Sequence, residues 1–383
     1  MSGTFDALVV ADPRFSGGST SALVADVAAM AGLGMRLGLL FVRSAYLDDA
    51  RDPVNPAAVA LCDLDGVTPL APGATAEAPL AFLHHPLVFA RGIEERAHLT
   101  ASRSVMIAHH TPFRADGSLE YDPLVAIRRA KAALGLSAWI APVSPTVRAQ
   151  MAAFAPLLRQ TGDDWPNIFD PADWPVTRLP FDGGPVTIGR HGRADPLKFP
   201  AAGPEIDAAL PAGPDICVRV MGCPAEALAA AGAHPEDWEV LPFGAEPVAD
   251  FLNTLDVFTY HYHPALTEAF GRTVVEATLC GRPCLLDPRL EATFGDLAQY
   301  CAPAGVADAV RRLAADPAAT RLRADAIRDR VIARYGAEGV AARLDRLRRD
   351  PGCASRTGGA VGPLTLARKM AGHWRRRLAG ADG

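Results

Sequence analysis

Short apolar runs of strand length recur along this chain, and most lead through a turn into residues whose apolar positions repeat every three or four places. That grammar admits few folds. Strand, helical crossover and strand again build a parallel sheet covered by helices. The run Phe5–Ala11 leads through Asp12-Pro13 to Ser16-Gly17-Gly18-Ser19-Thr20, and behind it Leu23, Val24, Val27, Met30 and Ala31 mark one helix face. Gly32 and Gly34 close that helix, and Leu37–Val42 reads as the next strand. Pro79–Leu83, Ser104–Ala108 and Trp139–Val143 continue the series.

The texture then breaks. Trp165-Pro166, Asp170-Pro171, Trp174-Pro175 and Asp182-Gly183-Gly184-Pro185 have the profile of an interdomain linker. Beyond them the alternation restarts with Val186–Gly189, Ile216–Met221, Trp238–Leu241, Val257–Tyr260 and Cys284–Leu286, and Ala307–Leu347 reads as a run of helices. The chain has 383 residues, which suits two α/β domains rather than one. The boundaries read as 1–165, a linker at 166–185, a second domain at 186–350, and a loose segment with a basic tail at 351–383.

Composition excludes several classes. Hydrophobic residues make up 49% and charged residues 21%, enough for sizeable cores. The net charge of −5 carries no nucleic-acid footprint, so none is expected as a partner. The start of the chain has no basic region before its apolar stretch and reads as a strand, not a leader. Asp26 and Arg36 interrupt the longest apolar segment, Ala22–Val42, so it does not read as a membrane span. Seven scattered cysteines read as free thiols of a reducing, cytoplasmic compartment.

The segment Pro264–Pro283 carries the most chemistry. A strand leads to a loop with Glu268, then a glycine, then a helix with Glu276. A helix starting near Gly271 leaves backbone N–H groups unpaired and aimed at an anion. Two carboxylates beside such a site suit hydroxyl groups, and a nucleotide sugar presents both phosphates and hydroxyls.

This segment resembles the E-x(7)-E motif of the retaining glycosyltransferases of family four, with Glu268 and Glu276 matched, Phe270-Gly271 in place, and Gly281-Arg282-Pro283 in register. The resemblance implies an α/β chain of the GT-B fold, two Rossmann-like domains with parallel sheets facing across a cleft. It implies transfer of a sugar, with retention, from a nucleoside diphosphate (UDP or GDP most readily) to a saccharide or lipid-linked acceptor in surface polysaccharide or glycoconjugate assembly. Glu268 would contact the donor sugar and Glu276 the ribose, with Ala269, Phe270 and Gly271 lining the donor site.

Further matches follow. Thr187–Lys198 resembles the family's opening strand and phosphate loop, with Gly189 in it; an Arg and a Lys there neutralise the diphosphate, so that no metal or other cofactor is needed. The spacing fits Arg193 with Lys198, or Arg190 with Lys198 around a small insertion, and both stand. Phe243-Gly244 resembles the loop beside the base, Gly17-Gly18 the glycine turn after the first strand, and His109 or His110 the histidine lining the reaction centre. Arg272 and Thr278 depart from the usual apolar residues, which leaves donor identity open.

The plain alternatives are a helix cap and solvated face for the two glutamates, surface charge for Arg193 and Lys198, and loop histidines for His109 and His110. His261 and His263 share one side of a strand but lack a third ligand at matching spacing. Rival functions are a GT-B epimerase, a non-catalytic carbohydrate-binding relative, and a nicotinamide oxidoreductase, which the missing Gly-x-Gly-x-x-Gly after Phe5–Ala11 disfavours. Last, Leu366, Met370, Trp374 and Leu378 recur every four residues among basic ones. Residues 364–378 are therefore a candidate peripheral contact with the inner membrane face.

Overall fold

The computed structural model describes residues 2–353 and 362–378, with the side chains of Ser2 and of 376–378 left aside. It divides into two compact units, 1–168 with 337–383, and 169–336.

The first unit is built on a parallel sheet of β1 (Ser2–Thr4), β2 (Ala7–Ala11), β3 (Leu37–Phe41), β4 (Val67–Leu70), β5 (Thr75–His84), β6 (His98–Ala108) and β7 (Ala138–Pro142). The order is β4-β3-β2-β5-β6-β7, with β1 beside β5. Every residue of β2 is buried, and each such Leu or Val contributes roughly 1.5–3 kcal/mol. That burial explains the unbroken apolar run, because a parallel strand covered by helices has no wet face. The helices begin where side chains supply the missing partners. Asp122 accepts from the Leu124 and Val125 amides ahead of Pro123–Leu134, which ends on left-handed Gly135. Ser144 does the same for Pro145–Met151 through Val147 N.

The second unit repeats the pattern with β8 (Val186–His191), β9 (Ile216–Gly222), β10 (Trp238–Pro242), β11 (Val257–Tyr260), β12 (Cys284–Leu286) and β13 (Gln299–Tyr300). Its order is β10-β9-β8-β11-β12-β13, all pairs parallel. Ile188, Val218, Val220 and Leu285 from the sheet meet Ile206, Val306 and Val310 from its helices in one core. Both sheets therefore follow the Rossmann order, in which the strand sequence reverses at a switch point, β2/β5 in one and β8/β11 in the other. Val67–Leu70 and Gln299–Tyr300 are strands that the apolar pattern does not reveal. β8 also runs past Gly189, so Arg190 and His191 are strand residues, and both are buried.

The boundaries differ from those the sequence suggests at both ends of the second domain. The helix Val340–Arg349 belongs to the first unit, because its polar groups bond there. Arg343 Nη1 donates to the Pro166 carbonyl at 3.1 Å, Arg346 Nε lies 3.0 Å from Asp163, and Asp350 accepts from the Gly162 amide at 2.7 Å. Gln160 and Cys353 then exchange backbone bonds of 2.8 and 2.7 Å. The proline-rich stretch expected as a linker is bound to the second unit from Phe169 onward. Asp256 takes Arg178 Nη2 at 2.7 Å and the Phe181 amide at 2.6 Å, and Asn253 takes the Thr177 amide at 2.9 Å. None of the seven cysteines forms a disulfide, and no helix among the described residues is long and apolar enough to cross a membrane. The loose stretch at 351–362 lies mostly outside the described residues.

Candidate functional site

In an open parallel sheet the crevice at the carboxyl ends of the strands flanking the switch point is where ligands bind. In the second unit that place belongs to the segments following β8 and β11, and Arg193, Lys198, Glu268, Gly271 and Glu276 lie on them. Lys198 ends a short 3-10 turn, Pro196–Lys198, whose Asp195 cap accepts from Leu197 N at 3.0 Å. Its ammonium donates to Glu268 Oε2 at 2.5 Å and to the Tyr260 hydroxyl at 3.1 Å, while that hydroxyl donates to the same Glu268 oxygen at 2.5 Å. Burial pushes the Glu268 carboxyl up, but Lys198, then Tyr260 and Arg190, outweigh it and hold it below the ordinary glutamate value. Tyr260 moves the opposite way, well above its usual range, through burial and the Glu268 charge.

Glu276 is a buried residue of the helix Arg272–Leu279. Its carboxylate lies 3.3 Å from His191 Nε2 and 3.6 Å from Arg272 Nε one turn earlier. Burial again pushes the carboxyl up, and His191 with Arg272 overcomes it, so the net shift is downward. Neither glutamate is a solvated helix face. The helix begins at Gly271, whose φ of 88° is left-handed and whose missing Cβ would stand 3.3 Å from the Phe294 ring. The helix dipole and its first-turn N–H groups favour an anion at this end, and Thr273 Oγ1 is buried there with no partner among the described residues.

The two arginines left open by the spacing separate. Arg190 is enclosed, its guanidinium 4.3 Å from the Phe199 ring centre and 4.4 Å from that of Tyr260, with Nη1 donating to the His261 carbonyl at 2.7 Å. Arg193 is exposed on the loop. Gly189 lies inside the sheet, where a Cβ would meet the Arg219 carbonyl at 1.9 Å, so close approach of β8 and β9 dictates it. Ala269 and Phe270 are buried, and the Phe270 ring packs edge-on against Tyr335 with centroids 5.5 Å apart. Phe243 is 64% exposed beside left-handed Gly244. His261 Nε2 bonds the Cys301 carbonyl at 2.9 Å and His263 Nδ1 accepts from Ala265 N at 3.0 Å, so each histidine has a structural partner. No cluster of three or more metal-ligating side chains occurs among the described residues.

In the first unit, Gly17 caps the helix Gly18–Gly32 with φ 70°, at the carboxyl end of β2. The switch point of this sheet gathers four histidines. His84 ends β5, His85 caps the helix Pro86–Ala90 that follows it, and His109 and His110 follow β6. His84 is buried between Asp26 and His109, with Nε2 3.6 Å from Asp26 Oδ2 and Nδ1 3.4 Å from His109 Nε2. Asp26 also accepts from Trp165 Nε1, 3.2 Å from each oxygen. His85 stacks on Phe15 at 4.7 Å, and the His110 carbonyl accepts from Tyr121 Oη at 2.6 Å. Burial first, then the neighbouring imidazoles, drives His84 and His85 well below the usual histidine range. Tyr260, His191, Asp26, His84 and His85 were not singled out from the sequence. The doublet His84-His85 at a strand end, repeated by His109-His110, was the available signal for two of them. Buried Asp12, which accepts from Arg14 Nη2 at 2.6 Å and from the Ser44 amide at 2.7 Å, anchors the loop ahead of Gly17.

Two parallel sheets, each in the Rossmann order with its own switch point, are the architecture shared by proteins of the GT-B fold. No protein-family model matches the sequence, and no curated protein matches it at significance. Solved structures do. The chain superposes on HepE of Anabaena, solved with UDP, with a TM-score of 0.60 at 14% identity, over 89% of this chain and 99% of that one. A glycosyltransferase of Rickettsia africae gives 0.59 at 11% identity, over 90% and 98%. AviGT4, a glycosyltransferase involved in avilamycin A biosynthesis, gives 0.56 at 16% identity, over 90% and 97%. These likenesses establish a shared fold.

Proposed function

We propose that this protein is a retaining glycosyltransferase that takes a sugar from a nucleoside diphosphate sugar. The observation carrying the reading is the convergence of Lys198 and Tyr260 on Glu268 beside a helix start that holds Glu276, all at the switch point of the second sheet. A carboxylate held ionised there can orient sugar hydroxyls. Glu276, fixed by His191 and Arg272, faces the ribose. Exposed Arg193, Lys198 and the first-turn amides hold the diphosphate and stabilise the charge that develops as it leaves. Arg190 supports them as an enclosed positive charge behind Tyr260, and exposed Phe243 offers its ring to the base.

UDP-sugars are the first donors to try, since HepE has been solved with UDP and with UDP-glucose. Gly17 and Gly18 are part of the nucleotide and donor site in this reading, as a turn where a side chain would block phosphate and acceptor, and His109 or His110 lines the reaction centre; saccharide or lipid-linked acceptors in surface glycoconjugate assembly fit it. Retention is part of the resemblance carried by Glu268 and Glu276. Incubation with UDP-, GDP- and dTDP-sugars should release nucleotide slowly without acceptor and faster with one, and NMR of the product should show the donor's anomeric configuration. Release from none of them, or an inverted product, would overturn the respective part of the reading.

A further inference from the structure

The helix Pro363–Leu378 carries five Lys and Arg and no acidic residue, in a chain whose net charge is −5. It is held against the first unit by Lys369, whose ammonium donates to the Ala153 and Ala155 carbonyls at 2.5 and 2.8 Å. Leu366, Lys369 and His373 are half-buried on the docked side. The four-residue stripe seen in the sequence is therefore not one face. Each step of four residues turns about 40° around a helix, so Leu366 points toward the docked side while Met370 and Trp374 have rotated outward.

The outward face is a different set. Leu364 is 78% exposed, Met370 43% and Trp374 49%, and Ala367 and Ala371 fall between them on the helical wheel. Exposed Arg368 and Arg375 border one edge of this face. An apolar strip with a Trp and a basic border, and nothing acidic on its helix, matches one occupant well: the headgroup and upper acyl region of an anionic lipid surface. Leu, Met and Trp enter the boundary while the guanidinium groups stay with phosphates. A nucleic acid would use the charge but leave the apolar strip without a function.

We propose that this helix is a lipid-facing contact, presented outward by the Lys369 clasp, through which the chain binds anionic membranes. The inference stands apart from the reaction proposed above. It is tested on the full-length protein by co-sedimentation with vesicles of phosphatidylcholine alone or mixed with phosphatidylglycerol. The chain should partition onto the mixed vesicles at low salt and much less onto the neutral ones, and raising the salt should release it. M370S/W374S and R368E/R375E should each lower the partition coefficient about tenfold. Unchanged melting curves would confirm that both variants fold, as expected for exposed positions. Failure of the wild-type chain to bind mixed vesicles would overturn the proposal, as would binding that M370S/W374S leaves intact. Loss on R368E/R375E alone, with an oligonucleotide displacing the vesicles, would overturn it in favour of a nucleic-acid contact.

Discussion

The Lys198 ammonium sits 2.5 Å from Glu268 Oε2, and it is the largest influence opposing the burial that would neutralise that carboxyl. Lys198 thus keeps the Glu268 carboxylate charged, and in the proposed reaction it would also supply positive charge to the departing diphosphate. Lys198→Met should lower kcat by about 10²–10³, the range for removing one stabilising donor from a developing oxyanion. It should also move the acid limb of the pH–rate profile upward, since Glu268 would lose that counter-charge. Nucleotide release kinetics across pH check both. A variant with near wild-type kcat would remove Lys198 from the site.

Glu276 has a different expected signature. Its His191 and Arg272 contacts are long, at 3.3 and 3.6 Å, so they orient the carboxylate without saturating it. Glu276→Gln keeps the shape and removes the charge. Nucleotide affinity should fall by about 1–3 kcal/mol, the range for a hydrogen bond to a charged group, and the melting temperature at neutral pH should fall as well, because the ionised carboxylate's contribution to the second unit is lost. Calorimetric titration with the nucleoside diphosphate of the preferred donor checks this, and an unchanged dissociation constant would sink the ribose role.

How much of this was legible in the sequence depends on the range of the interaction. The buried runs of β2, β3 and β11 announce themselves because a parallel strand covered on both faces must be apolar throughout. The Glu268–Glu276 segment is legible because its signal is local to the chain, the seven-residue spacing of the glutamates with Phe270-Gly271 between them, and Gly271 adopts a positive φ where the helix begins. β8 extends beyond its apolar run, because Arg190 and His191 interrupt the pattern although both are buried strand residues. The helix Val340–Arg349 packs on the first unit rather than the second, which the sequence does not reveal, because an apolar face shows that a helix packs but not against what. The Asp26–His84 approach was invisible for a similar reason. It arises only when β5 pairs with β2 and brings its end beside the helix Gly18–Gly32.

A divalent cation should be dispensable for the proposed transfer, because Arg193, Lys198 and the helix start already offer positive charge to the diphosphate. Activity with the preferred donor should persist in excess chelator and stay within about twofold on adding Mg²⁺ or Mn²⁺. Abolition by chelator with recovery on metal would mean that the phosphate site works differently. His261 and His263 would remain poor ligands even then, given their Cys301 and Ala265 partners.

The buried ionisable groups predict two separate acid transitions. His84 and His85 have folded-state pKa values well below their unfolded ones, through burial and neighbouring imidazoles. As pH falls below the unfolded histidine value of about 6.5, the unfolded chain binds protons that the folded chain refuses. Stability of the first unit is therefore full above that pH and declines below it, by up to about 1.4 kcal/mol per pH unit for each histidine. Glu268 and Glu276 are also lowered, so their contribution to the second unit is full above the unfolded glutamate value of about 4.3. It is lost only as pH falls further, through the folded values. Melting curves of the ligand-free protein should show destabilisation from about pH 6.5 downward before any loss due to the glutamates. His84→Asn removes one titrating group and should roughly halve the slope of the first phase while leaving the second in place. A slope unaffected by this substitution would show that His84 does not titrate as its burial requires.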